Sequence, residues 1–323
     1  MRRVVCHQWG PPEDLVIEEF ADLEAGPGQA VVSMSAAGVN FVDALFVAGT
    51  YQIKVPPPFT PGSEMAGTVI ATGEGVSNVE VGDRVISSLG LGAFASHVVV
   101  SANSLVPIPD SLTDTAAGAL TQSYCTAWFT LTRRVPIQEG ETVLVLGAGG
   151  GVGLAAIDVA TSLGARVIAA ASTPEKLADA VAMGAFATIS YESEDLKTRA
   201  RELGEGQLDV VIDPVGSLHT EAALRALGTN GRLAVIGFAA GDIPSIRTNL
   251  VLLNNRSLVG VDWGAWAMRN PDAQSKLLGE VLERIDNGEL NPPPPTEYRL
   301  DEAGQVLRDL LDRRLRGKCV LVP

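Results

Sequence analysis

Residues 143–153 read VLVLGAGGGVG, four apolar residues that enter a turn holding five glycines. The chain continues as LAAIDVATSLGA, with apolar positions at helical spacing. Strand, glycine turn and helix in this order make a cradle for a dinucleotide. Glycines let the backbone approach a pyrophosphate closely, and the helix start offers it unbonded N–H groups and a partial positive charge. The spacing is Gly147, Gly150, Gly153, with Ala148 where the strict G-x-G-x-x-G pattern has its first glycine.

The next apolar segment, residues 165–171 (ARVIAAA), bears on which dinucleotide is held. A chain that binds NAD usually carries Asp or Glu near the end of this strand, on the ribose 2′-hydroxyl. Here the strand runs into Ser172, Thr173, Pro174 and then Lys176. A small hydroxyl and a cation suit a 2′-phosphate, so NADPH is favoured over NADH. Ser172 and Thr173 equally suit the cap of a helix that has Pro174 in its first turn. The two readings are compatible.

The chain has 323 residues, 46% of them hydrophobic and 19% charged, enough for two domains with a sizeable core. A net charge of −14 argues against nucleic acid and against an anionic membrane surface. Cys6, Cys125 and Cys319 form no C-x-x-C pair and no disulfide ladder, which fits a reducing compartment. The first residues lack the apolar stretch of a signal peptide, and no run of about 18 apolar residues occurs. A cytoplasmic protein is expected.

Residues 1–118 contain short alternating segments (30–36, 66–72, 84–88, 94–100) between Gly, Pro, Asn and Asp turns, the pattern of a small barrel or sandwich. Ser111 with Asp114 reads as a capping box opening a helix. From about residue 140, strands alternate with helical stretches, implying a doubly wound parallel sheet of the α/β class. A helix is expected over 272–287 and another over 301–314, with a final strand in KCVLVP. The expected domains are 1–118 completed by 262–323, and 119–261.

Residues 38–69, GVNFVDALFVAGTYQIKVPPPFTPGSEMAGTV, resemble the zeta-crystallin-like quinone oxidoreductases of the medium-chain dehydrogenase/reductase superfamily. The resemblance extends over the glycine turn, SLVGVDWG and the GKCVLVP segment. It implies a GroES-like β-barrel domain, a Rossmann domain, a cleft between them and a homodimer. It also implies reduction of a quinone or quinone-like conjugated carbonyl by NADPH. Zinc-dependent relatives have histidine in a G-H-E motif, and here the motif reads Gly62-Ser63-Glu64. His7, His97 and His219 show no ligand spacing, so a zinc-independent enzyme is expected.

Carried onto this sequence, the resemblance puts Gly150, Gly151 and Val152 at the pyrophosphate. It puts Ser172, Lys176, Tyr191 and Arg313 at the 2′-phosphate. Thr126, Gly237, Phe238 and Trp263 go to the nicotinamide half. Asn40 and Tyr51 are the expected catalytic residues, Tyr51 as proton donor or as anchor for a quinone oxygen. Asp43 is expected to stabilise the turn after Asn40. Leu45 and Val47 replace a Tyr and an Arg common in the family. With Phe46, Trp263 and Trp266 they suggest an apolar, aromatic acceptor pocket. Arg314, Arg316 and Lys318 read equally well as a solvated cationic helix end. Two alternatives stay open: a 2-enoyl-thioester or enone reductase with Tyr51 as acid, and a non-catalytic protein that senses NADPH or serves a structural role.

Overall fold

Along residues 1–323, all described by this computed structural model, regular elements follow one another with short connections. The first stretch carries β1 (Arg2–Val5), β2 (Val16–Glu19), β3 (Gln29–Val39), α1 (Phe41–Val47), β4 (Glu64–Thr72), β5 (Arg84–Ser88), β6 (His97–Ser101), β7 (Val106–Pro107) and α2 (Asp114–Gly118). Then come α3 (Thr126–Phe129), β8 (Thr142–Leu146), α4 (Gly151–Ser162), β9 (Arg166–Ala171), α5 (Pro174–Ala182), β10 (Ala187–Ser190) and α6 (Leu196–Leu203). After them lie β11 (Val210–Asp213), α7 (Ser217–Ala226), β12 (Arg232–Val235), α8 (Asn249–Leu252), β13 (Ser257–Gly260) and α9 (Trp263–Arg269). The chain finishes with α10 (Pro271–Asp286), β14 (Thr296–Arg299), α11 (Ala303–Leu311) and β15 (Cys319–Val322). No helix is long and apolar enough to cross a membrane.

Two compact units result. One comprises residues 1–122, 270–287 and 292–323; the other comprises 123–269 and 288–291. The junctions lie at 122/123 and 269/270 rather than at the expected 118/119 and 261/262. The second shifts because α9 stays with the second unit.

In the first unit, β14, β15, β3, β4, β5 and β7 form one sheet, and β6 adds to β3. A strand has only two edges, yet β3 has three partners. It pairs β6 over residues 29–33 and β15 over residues 37–39, with β4 on its other edge. Irregular register at Val31/Val32 and Met34/Ala36 accompanies the handover. Beneath the sheet lies a core that includes Val32, Met65, Val85 and Phe94, into which α11 sends Val306 and Leu307.

In the second unit the sheet order is β10-β9-β8-β11-β12-β13, all parallel. Every residue of β8 is buried, as a central strand covered by helices on both faces requires. The α/β doubly wound sheet read from the sequence is this one.

Several local expectations change. Thr113, not Ser111, caps α2 by accepting from the Ala116 N–H, while the Ser111 hydroxyl donates to Asp286 at 2.7 Å. The strand expected over 94–100 begins only at His97. The helix expected over 301–314 runs only from Ala303 to Leu311, because Arg313 adopts a left-handed backbone (φ +61°) that ends it.

Candidate nucleotide and reductase site

The second sheet leaves β8 in opposite directions: β9 lies on one side and β11 on the other. The crevice beyond the carboxyl ends of such strands is where α/β sheets hold ligands. The glycine turn occupies that place. Gly147 follows β8 with φ +60°, and Gly150 caps α4 from an extended conformation. A Cβ on Gly153 would overlap the Gly147 carbonyl oxygen, so the helix start can pack this tightly only with glycine there. A Cβ on Gly149 would overlap the Lys176 side chain, so Lys176 lies directly across the turn. The sequence reading had not singled out Gly149.

Lys176 is brought there by its own helix start. Thr173 caps α5, accepting from the Lys176 N–H at 3.4 Å, with Pro174 in the first turn. The cap is therefore Thr173, and Ser172 stands just outside it at the end of β9. Tyr191 follows β10, and its hydroxyl accepts from the Gly147 N–H at 2.8 Å. Its ring stacks on His219 at 4.2 Å, and burial pushes its phenol above the usual range. Tyr191 thus braces the turn itself, a link that neither segment shows in sequence.

Across the crevice, Asp213 ends β11. Its Oδ1 accepts from the Val215 and Gly216 N–H groups at 2.9 and 2.8 Å, and its Oδ2 accepts from the Thr220 hydroxyl at 2.6 Å. That carboxylate shapes the wall facing the turn, where Val215 packs against Gly147. Gly237 and Phe238 follow β12, and Phe238 covers Gly216. Thr126 opens α3, and its carbonyl accepts from the Thr130 hydroxyl at 2.6 Å.

The aromatic residues expected to face an acceptor are mostly committed elsewhere. Trp263 is buried, and Trp266 packs on Phe129 at 4.7 Å. In the first unit Phe46 is buried beneath Tyr51, at 4.8 Å, and Val47 belongs to the core. Phe46 and Val47 therefore serve as packing in the first unit and not as an acceptor surface.

Tyr51 sits in the loop after α1, its N–H donating to the Leu45 carbonyl at 3.2 Å. The Trp9 indole covers Gly49 and donates from Nε1 to the Val55 carbonyl at 3.0 Å, so it clamps the loop from outside.

Asn40 stands at the N-cap position of α1, where the sequence suggests a turn. Asp43 secures this helix start, its Oδ2 accepting from the Asn40 N–H at 2.8 Å. The expectation that Asp43 stabilises the turn is thereby made specific. Asp43 is fully buried with Oδ1 unpartnered, and burial pushes its carboxyl up to about 7.

Lys318 corrects one reading. It is not part of a solvated cationic end: its ammonium donates to Glu64 Oε1 at 2.7 Å, and the Glu64 side chain is fully buried. Its neighbour Arg314 does face solvent, paired with Asp309 and Asp312. Arg313 lies in the left-handed turn after α11, in the first unit, whereas Ser172, Lys176 and Tyr191 lie in the second.

This fold defines a two-domain nucleotide-dependent oxidoreductase of the medium-chain type. Residues 26–110 match the alcohol dehydrogenase GroES-like domain, and residues 151–279 match the zinc-binding dehydrogenase family. The chain is 39% identical to the cattle protein named quinone oxidoreductase-like protein 2, over 99% of this chain and 92% of that one. The Escherichia coli quinone oxidoreductase solved with NADPH superposes with a TM-score of 0.91 at 27% identity, covering both chains completely. The CurK enoyl reductase superposes at 0.89 with 25% identity, over 99% of this chain and 98% of that one. The chain belongs to the quinone oxidoreductases of the medium-chain dehydrogenase/reductase superfamily.

The residues present do not suit the metal in the second profile's name. No three His, Cys, Asp or Glu side chains are grouped to hold an ion. His7 pairs with Glu18, His97 lies against Ser96 and His219 stacks on Tyr191. At the G-H-E position stand Ser63 and Glu64, and the Glu64 carboxylate already holds an ammonium.

Proposed function

We propose that this protein uses NADPH to reduce a quinone or a quinone-like conjugated carbonyl, without a metal ion. The observation that carries the reading is Lys176 lying across the glycine turn at the sheet's switch point, with no carboxylate at the end of β9. A 2′-phosphate would meet a cation there, with no carboxylate at the ribose-binding position at the end of β9. The overlap that a Cβ would make at Gly149 and Gly153 supports a backbone built for close approach of a diphosphate.

In this reading the N–H groups of Gly150, Gly151 and Val152 hold the pyrophosphate. Ser172, Lys176 and Arg313 meet the 2′-phosphate, with Tyr191 keeping the turn closed beside them. Thr126, Gly237, Phe238 and Trp263 belong to the nicotinamide end. NADPH supplies the hydride when bound. The chain's own work is orientation, exclusion of water and proton delivery. Tyr51 donates a hydrogen bond or a proton to the acceptor, and Asn40 helps to fix the reacting ends. A conjugated acceptor takes a hydride without Lewis-acid activation, which agrees with Ser63 and an ammonium-bound Glu64 at the metal-ligand motif.

The test is NADPH consumption measured side by side with quinones, enones and enoyl thioesters. Quinone turnover that survives Tyr51→Phe supports the proposal. The CurK likeness favours a second reading, alkene reduction with Tyr51 as acid, in which Tyr51→Phe abolishes turnover of enones or enoyl thioesters. Tight NADPH binding with no turnover on any acceptor would leave a sensor or structural role. The cofactor preference has its own check. NADPH is expected to bind about tenfold or more tightly than NADH, and Lys176→Ala to remove most of that gap. Equal affinities in the unaltered protein refute the 2′-phosphate assignment.

The proposal extends to a cytoplasmic homodimer. Support for the dimer comes from β13, an outer strand with one unpaired edge and with Leu258 exposed, since such an edge is a template for pairing with another chain. Light scattering on the purified protein distinguishes dimer from monomer.

A further inference from the structure

The Lys318 ammonium has three protons and three acceptors: Asn40 Oδ1 at 2.6 Å, Glu64 Oε1 at 2.7 Å and the Val39 carbonyl at 3.2 Å. Glu64 Oε1 also accepts from Asn40 Nδ2 at 2.8 Å, and Glu64 Oε2 accepts from the Gln122 N–H at 2.7 Å. Room for the carboxylate comes from Gly38, where a Cβ would overlap Glu64 Oε1.

The two ends of the Asn40 amide are therefore read by opposite groups. An ammonium can only donate, so it must face the amide oxygen. A carboxylate can only accept, so it must face the amide nitrogen. Turning the amide over would set NH₂ against NH₃⁺ and carbonyl against carboxylate, losing two charge-assisted hydrogen bonds and adding two repulsions. Asn40 is half-exposed, whereas the groups that orient it are almost wholly buried. Side chains held in this manner keep their geometry without reorganising when a ligand arrives.

We propose that Lys318 is a positioning residue which, together with the Glu64 carboxylate it neutralises, fixes the polarity and direction of the Asn40 amide for the nicotinamide and acceptor side of the reaction. The role in turnover rests on the assignment of Asn40 in the proposed function. The holding of the amide does not, and it is measured separately.

The experiment uses the full chain with NADPH and 1,4-naphthoquinone. Lys318→Met alone leaves the buried Glu64 carboxylate without its counter-charge and risks unfolding. The working variant therefore combines Lys318→Met with Glu64→Gln, which leaves no lone charge. Two outcomes are expected together. In ¹⁵N spectra, the Asn40 side-chain amide loses its slow hydrogen exchange. Turnover falls on the order of tenfold, as loss of orientation does, while KM for NADPH stays within about twofold. Adding Asn40→Ala to the pair lowers kcat no further than Asn40→Ala alone, since the three act as a unit. Ethylammonium added to Lys318→Ala restores part of kcat, a rescue that a purely structural lesion would not show.

Unchanged exchange at Asn40, or additive losses in the combined variant, overturns the proposal. If Asn40→Ala alone leaves kcat intact while the exchange result holds, the amide is oriented as stated. In that outcome the assignment of Asn40 to the reaction fails, and the proposed function of Lys318 in turnover falls with it.

Discussion

At the end of β8 the proposed recognising groups are the backbone N–H groups of Gly150, Gly151 and Val152, all within the run 143–153. Around Asn40 they are side chains drawn from positions 40, 64 and 318. Shape governs the first arrangement: without a Cβ at 149 and 153, the Lys176 side chain and the Gly147 carbonyl come closer than any other residue would allow. The second is charged and governed by pairing, with a buried carboxylate between an ammonium and an amide. The fold of the turn should tolerate charge changes nearby but no added volume. The network should tolerate changes of shape but no lone charge.

The largest effect expected from testing that contrast is at Glu64. Glu64→Ala strands the Lys318 ammonium in a buried place, and breaking such a pair costs about 3–5 kcal/mol. Chemical denaturation would register it, and a loss under about 1 kcal/mol would show the pair to be screened by water. Next comes Gly153→Ala. Overpacking against the Gly147 carbonyl and Ala148 should destabilise by about 1–3 kcal/mol and weaken NADPH binding more than tenfold. Unaltered binding there would mean that the turn is pliable.

The most gradual effect is one of pH. Burial holds the Asp43 carboxyl at about 7 in the folded protein, above its unfolded value of about 4. Between those values the folded state keeps a proton that the unfolded state releases. The contribution of Asp43 is thus fully present below the unfolded value and lost as pH rises through the folded one. Its slope is at most about 1.4 kcal/mol per pH unit. Asp43→Asn cannot ionise, so its stability relative to the unaltered protein should rise between pH about 4 and 7. A constant difference across that window would refute the shift.

What could be read from the chain follows the same division. The strand, turn and helix around residue 147 were legible because every determinant is local. The neighbouring strands were legible because their apolar runs alternate with helical periods. The α1 segment FVDALFV does not read as a helix, since seven residues with six apolar ones and an Asp fit several local structures. The outer strand β13 has mostly exposed residues, so it lacks the apolar pattern that marked β8. Phe46 was expected at an acceptor surface because aromatic composition says nothing of direction; it points into packing. Lys318 and Glu64 are 254 residues apart, and only the pairing of β15 beside β3 and of β4 on the other edge of β3 brings them together.

β15 lies between β14 and β3, and Lys318 immediately precedes it. During synthesis, then, the domain begun at residue 1 waits with an interior slot open in its sheet until residues 319–322 leave the ribosome. The nucleotide-binding sheet, whose six strands lie between residues 142 and 260, can close well before that. Nascent chains should accordingly acquire affinity for the coenzyme before they acquire a fixed amide at position 40.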